Sequence, residues 1–283
     1  MKETELKALI SLLDDEDPSV KTHVEQQLLE LGELVLPQLE RAWESSEDEL
    51  LQSRIEDVIH LIQSRQSILS LRDWRAKGGG DLLDGWFYTT QYHYPELDFE
   101  LYRKAINRLV NRIWLELRSG MNIPEQLMVV NRMLFNKEKY RANQRSPHLP
   151  QNYYLNTLIE TKQGSPLSLG LIYMAVCAEL QIPVEGILLP DYFVLVYRDS
   201  QNEFFIDVFN QGAFFVRNDL TRFLEEMKVE DKAEYYEPSS KIYLILALIE
   251  RQIRGYERAQ NDKKAKSLKL LLKGIEVADG NRD

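Results

Sequence analysis

The chain has 283 residues, of which 44% are hydrophobic and 28% charged, with a net charge of −10 at neutral pH. That length allows one large domain or two modest ones with a full core. The acidic balance argues against a general nucleic-acid binder, which is usually basic, so no nucleic-acid partner is expected. The lone cysteine, Cys177, excludes an intrachain disulfide and fits a reducing compartment, so the cytoplasm is the expected location.

The first residues, MKETELKALISLL, are charged and lack signal-peptide architecture, and no apolar run reaches the length of a membrane span, so no membrane association is expected. Residues 1–66 read as wholly helical. Leu6, Leu9, Ile10 and Leu13 form one apolar stripe, which Asp14-Asp15-Glu16-Asp17-Pro18 interrupts. Val20, Val24, Leu28 and Leu31 form the next, ending at Gly32, a helix C-terminal signal. Leu36, Leu39 and Trp43 begin a third stripe, and Leu50, Ile55, Ile59 and Ile62 a fourth. The text LLDDEDPSVKTHVEQQLLELG followed by LPQLERA resembles a HEAT-type repeat. One repeat cannot bury its own faces, so these helices are expected to dock on the next domain or on a partner. The bland alternative is an ordinary helical cap.

Residues 67–85 read as a transition, with Gly78-Gly79-Gly80 as a flexible turn. No Lys-Ser/Thr follows and no strand precedes, so the triplet is not a phosphate loop. Residues 82–118 read as two helices, the second capped by Asp98 and burying Ile106, Leu109, Ile113 and Leu117. His93, between Tyr92 and Tyr94, reads as a packing or hydrogen-bonding residue. No set of His, Cys and acidic residues has metal-ligand spacing, so neither a metal nor another cofactor is expected. Residues 125–135 form another helix, and the polar residues 136–151 a loop over the core, bordering a pocket.

The stretch Asn152–Gly212 organises the rest. A helix starts at Pro166, where a missing N–H has no intrahelical partner to lose. Leu169, Ile172, Val176 and Leu180 recur at helical spacing, and Ile182-Pro183 stops the helix. Strands follow at Val184–Leu189, Phe193–Arg198 and Glu203–Phe209, the last two joined by a hairpin signal, with a further strand at Phe214–Val216. The expected class is therefore α+β, mainly helical, with a small antiparallel sheet packed on a central helix. Asn218–Met227 reads as a short helix, and Lys241–Ala278 as two more. Lys263, Lys264, Lys266, Lys269 and Lys273 read as a solvated helix face.

The order helix, strand, strand resembles the transglutaminase-like, papain-related superfamily, and the details resemble its SirB-type branch. The residues carrying that resemblance are Asn152, Tyr154, Leu155 and Asn156; Gly164, Pro166, Ser168 and Leu169; Ile182, Pro183, Val184, Pro190 and Phe193; and Ile206, Asp207, Phe209 and Gly212. Tyr94-Pro95-Glu96-Leu97-Asp98 extends it upstream. Asp191-Tyr192 stands where the branch has Gly-His, and Val208 where it has Pro. The C-terminal helices resemble a tetratricopeptide unit. The implied division is a HEAT-like region 1–66, a transglutaminase-like core 67–230 and a helical hairpin 231–283.

The resemblance implies a thiolate at the helix start, an imidazole on the next strands and an orienting acid. Here the nearest hydroxyl is Ser168, the base position holds Tyr192, and the acid is Asp207. Cys177 lies nine residues past Ser168, about half a turn round and about 13 Å along the helix, and reads as core. All four histidines precede the helix. A phenol is a poor base near neutral pH. Two functions follow. One is a non-catalytic transglutaminase-like scaffold or regulatory binding protein, its partner another protein. The other is a hydrolase or acyl-transfer enzyme using Ser168 with an unusual base, His93 or His148. Ser168, Tyr192 and Asp207 are expected to converge in one quiet pocket, Tyr192 bonding both others, with Asn156, Gly164, Pro166, Pro190 and Gly212 shaping it.

Overall fold

The apolar stripes become helices wherever a cap or a proline starts them. The computed structural model describes residues 3–190, 192–230 and 232–276. The chain divides into two units, one of residues up to Ser70 with Gln91–Leu97, the other of Leu71–Thr90 with the chain from Asp98 on.

The first unit holds α1 (Glu3–Ser11), α2 (Pro18–Leu31), α3 (Leu36–Ser45) and most of α4 (Glu49–Ala76). Asp17 caps α2, its carboxylate accepting the Ser19 N–H at 2.8 Å, and Pro18 sits in the first turn. Gly32, at φ +60°, ends α2. Ile10, Leu13, Val24, Leu28, Leu39, Ile55 and Ile62 interlock as one core. Arg54 ties the first turn to α4, donating to Leu13 O at 2.8 Å and Asp14 Oδ1 at 2.7 Å. This unit carries seventeen acidic against six basic residues, so the chain's whole negative balance resides in it. α4 differs from expectation. It runs through Ala76 rather than giving way near Ser67, because residues 67–76 contain no glycine or proline. Gly78 and Gly79, both at positive φ, then end it. His93 packs its ring 5.4 Å from that of Tyr92 and 6.2 Å from that of His60.

The second unit opens with α5 (Leu82–Gln91), α6 (Phe99–Trp114) and α7 (Ile123–Asn131), the last extended by a π-helical turn at Arg132–Lys137. Asp98 caps α6 as expected, but the helix stops at Trp114, leaving Leu117 outside it. Next come β1 (Arg141–Ala142), α8 (Leu155–Thr161), β2 (Gln163–Gly164) and α9 (Pro166–Glu179). β1 and β2 pair in parallel, Arg141 opposite Gln163, within segments expected to be irregular. The four-stranded antiparallel sheet follows in chain order: β3 (Val184–Leu189), β4 (Tyr192–Arg198), β5 (Glu203–Asp207) and β6 (Ala213–Phe215). α10 (Arg217–Glu226), α11 (Lys241–Arg258) and α12 (Asp262–Glu276) complete the unit. The class is α+β, mainly helical, as the sequence implies. Ala278, the expected end of the last helix, lies outside the described residues.

α9 is the buried axis. Every residue from Leu167 to Cys177 is buried, as an all-round apolar helix requires. Gly170 and Gly186 leave room for the Phe193 ring, which a Cβ at either position would overlap. Phe193 therefore faces α9, and its neighbours Tyr192 and Val194 face the other way. That second face packs Ile187, Val194, Val196 and Phe205 against Leu220 and Leu224 of α10 and Tyr236. The β4–β5 turn is fixed by Asp199, which accepts the Gln201 and Asn202 N–H groups at 2.7 Å each.

Candidate functional site

The start of α9 is a closed knot of hydrogen bonds. Ser165 caps the helix, accepting the Ser168 N–H at 3.1 Å. The Ser168 hydroxyl lies 2.8 Å from Ser165 Oγ and donates to Asn152 O at 2.5 Å. Asn152 O also accepts the Ser165 N–H at 3.0 Å. The Asn152 side chain reaches the other way, donating to Ser146 O at 2.8 Å and Pro147 O at 3.2 Å and accepting from Asn143 Nδ2 at 2.9 Å. Gly164 is needed here because a Cβ would press on Leu158, Asn152 O and Ser168. Ser168 is completely buried, so its hydroxyl fastens the loop 143–152 to the helix. Pro166 occupies the first helical turn, and Asn156, on α8, buries its Oδ1.

Tyr192 and Asp207 do meet. The phenol donates to Asp207 Oδ1 at 2.9 Å, beyond the last register pair of β4 and β5, Leu195 opposite Ile206. The same oxygen accepts the Phe209 N–H at 3.0 Å and the Asn210 N–H at 3.3 Å, while Oδ2 accepts Asn210 Nδ2 at 2.6 Å. These bonds turn the chain, so β5 stops at Asp207 rather than running to Phe209. Burial, and next the Asp207 carboxylate, push the Tyr192 phenol well above its ordinary range. The expected bond from Ser168 to Tyr192 is replaced by those to Ser165 and Asn152. The reason is strand parity: Phe193 faces α9, so Tyr192 turns onto the α10 face, its ring 5.0 Å from that of Phe223 and tilted 52° to it. Asp207 shares that face with Phe205. Pro190 is exposed in the β3–β4 turn, where Arg251 donates to Leu189 O at 3.4 Å and Tyr192 O at 3.2 Å. Asp191 lies outside the described residues.

Cys177 is fully buried within α9, and burial pushes its thiol well up. His148 meets Arg258, whose Nη1 lies 2.5 Å from its Nδ1. Among the described residues no group of three His, Cys, Asp or Glu stands together to hold a metal ion, and no helix is long and apolar enough to cross a membrane.

A cleft of about 450 Å³ opens where β1, β2 and the loop after β5 meet. It is lined by the buried rings of Phe135 and Tyr140, by the exposed Arg141, Gln144 and Arg145 from β1 and the loop after it, by Gln163 of β2, and by Phe209 and Gln211 from the loop after β5. Phe209 also touches the Tyr192 ring, 6.3 Å between centroids, so the Tyr192–Asp207 pair props this wall from behind. The lip formed by the loop after β5 is anchored by Asn131, which donates to Gly212 O at 2.7 Å and accepts from Tyr173 OH at 2.8 Å. A Cβ on Gly212 would overlap the Asn131 side chain, and Gly212 holds φ +80°. Gln211, a non-glycine residue, holds φ +58°. Phe135 reaches the cleft from the π-helical turn, a distortion frequent at functional sites. Residues 136–151 do border a cleft, but not one lined by Ser168, Tyr192 or Asp207, and Arg141, Arg145, Gln163 and Gln211 were not singled out. The available signal was a pair of arginines in a polar run whose one acidic residue is Glu138.

The sequence model of the transglutaminase-like superfamily matches residues 100–250. UPF0162 proteins of two Xylella fastidiosa strains are 33% identical over 119 residues, 42% of this chain and 42% of theirs. The UPF0162 protein of Pasteurella multocida is 25% identical over 109 residues, 38% of this chain and 41% of its own. F-box only protein 21 of Mus musculus is 25% identical over 84 residues, 30% of this chain and 13% of the mouse protein. The chain thus spans less than half the length of these curated relatives, and no solved structure matches it. A buried helix followed by an antiparallel sheet, with a sequence match over more than half of its length, places this chain in the transglutaminase-like superfamily.

Proposed function

We propose that this protein is a non-catalytic member of the superfamily, of the SirB-type branch, that binds another protein through the cleft beside α9. The observation that carries this reading is the separation of the would-be catalytic parts. Ser168 is buried and bonded into the α9 knot, whereas Tyr192 and Asp207 bond one another on the opposite sheet face. A nucleophile needs a base within hydrogen-bond reach, and the phenol at Tyr192 keeps its proton at neutral pH. Asp207, which would orient an imidazole, instead shapes the lip of the cleft. The flanks fit the same purpose. We assign residues 1–66 to a HEAT-like region, 67–230 to the transglutaminase-like core and 231–283 to a tetratricopeptide-like hairpin, acting together as a regulatory scaffold in the cytoplasm. Repeats of these kinds present surfaces to other proteins.

The test uses the full chain with a fluorophosphonate and an iodoacetamide probe, beside a generic thioester and peptide. No labelling and no turnover are expected. Labelling of Ser168, or turnover that Ser168→Ala abolishes, would establish the hydrolase or acyl-transfer alternative.

A further inference from the structure

We infer that the cleft receives an extended acidic peptide, whose carboxylates are held by Arg141 and Arg145. This rests on the binding reading above and names the chemistry of what is bound. Other arginines of this unit are already engaged: Arg103, Arg112, Arg132, Arg198 and Arg217 each meet a carboxylate within hydrogen-bonding distance. Among the described residues Arg141 and Arg145 have no carboxylate partner, although both stand at the cleft in an acidic chain. A guanidinium offers a planar fork of donors that matches a carboxylate in two parallel bonds. Two such forks lining one cleft can take two carboxylates spaced along one chain.

The rest of the cleft suits a main chain better than a small inorganic ion. Gln163 and Gln211 both line the opening with amides, each with donors and an acceptor. The rings of Tyr140 and Phe209 line the cleft with apolar surface for the methylene stems of glutamate side chains. A volume of about 450 Å³ lies within the usual range for ligand clefts. The lip itself is held in shape rather than loose, with Gln211 in the left-handed region at φ +58° and the next residue pinned by Asn131. Backbone strain of this kind clusters at binding and catalytic sites.

The test measures anisotropy of fluorescein-labelled hexaglutamate and hexaglutamine against the full chain at low salt. Hexaglutamate is expected to bind at least tenfold more tightly, with affinity falling as salt rises. Arg141→Ala and Arg145→Ala should each weaken it about tenfold, the scale of one charge-assisted bond. Lys266→Ala, an exposed cation on α12, should leave it unchanged. Thermal unfolding of each variant checks that the fold is kept, which exposed arginines favour. Absent binding, equal binding of both peptides, or indifference to the arginine variants would overturn the inference. Inorganic phosphate competing at the peptide's own concentration would also overturn it, reassigning the cleft to a small oxyanion. Mass spectrometry of the recovered peptide separates the two claims. A cut or cross-linked peptide refutes the non-catalytic reading, whereas an intact, unbound one refutes only the ligand class.

Discussion

Asn131→Ala should destabilise the protein by about 2–4 kcal/mol, a large effect for a half-buried side chain on a helix end. The magnitude comes from its two bonds. Its Oδ1 accepts from Tyr173 OH at 2.8 Å, and its Nδ2 donates to Gly212 O at 2.7 Å. Tyr173 is completely buried, so removing the acceptor leaves its hydroxyl without a partner, at about 1–3 kcal/mol. Loss of the second bond adds about 0.5–1.5 kcal/mol. Tyr173→Phe, which deletes the hydroxyl itself, should cost only about 1 kcal/mol. Urea unfolding gives both values, and an Asn131→Ala cost no larger than that of Tyr173→Phe would refute the reasoning. The Asn131–Gly212 contact allows a sharper check. Gly212→Ala combines a Cβ overlapping Asn131 with φ +80°, about 1–2 kcal/mol for the left-handed conformation and about 1–3 kcal/mol for the overlap. In the Asn131→Ala background the overlap vanishes, so the double variant should cost less than the sum by about that second amount. Strict additivity would mean the two groups do not touch. Hydrogen exchange at the Phe209 and Asn210 amides, both bonded to Asp207, should quicken in Asn131→Ala as the cleft lip loosens.

Cys177, buried and with its thiol pushed up by burial, should resist a disulfide reagent at pH 8 and react stoichiometrically once urea unfolds the chain; rapid modification of the native protein would contradict this placement. Ser168→Ala should lower stability by about 1–2 kcal/mol in denaturant titration, because it removes the bond to Asn152 O while Ser165 still caps α9; an unchanged midpoint would show that the knot contributes nothing. Tyr192 holds its proton more tightly folded than unfolded, so its contribution is intact below about pH 10 and is lost as pH rises beyond that. Stability measured from pH 9 to pH 11 should therefore fall less steeply in Tyr192→Phe than in the unaltered chain, and parallel curves would rule this out.

The sequence is most legible where one periodicity runs long. The stripes of α1 to α3 and the apolar run of α9 are each anchored by a start or stop residue: Asp17-Pro18, Gly32, Ser165-Pro166. The β4–β5 hairpin is legible for the same reason, since Asp199 to Asn202 separate two apolar runs. What escapes is set by single contacts. The β1–β2 pair is two residues long on each side, too short to carry a period, and depends on bonds such as Arg141 N–H to Lys162 O at 2.9 Å. The end of β5 depends on whether the Asp207 carboxylate turns back onto the N–H groups that follow it. The motif residues were visible, but not their use. Asn152, Gly164 and Ser168 suggest a reacting centre in the sequence and make a fastening in the structure, because their polar groups satisfy one another.

The fate of the polar pair follows from one ring. Phe193 enters the space left by Gly170 and Gly186, and no larger residue at either position would admit it. That contact fixes the parity of β4, and parity leaves Tyr192 no choice of face, since a one-residue slip would carry the Phe193 ring out of that space and onto the α10 face. Once on the α10 face, Tyr192 needs a partner for its buried hydroxyl, and Asp207 is the carboxylate within its reach on that face. Asp207 has acceptor capacity left over, which the Phe209 and Asn210 N–H groups and the Asn210 amide fill. The turn so formed carries Phe209 and Gln211 to the cleft. An acid that could orient an imidazole thus orients a loop, and through that loop it shapes the wall of the cleft.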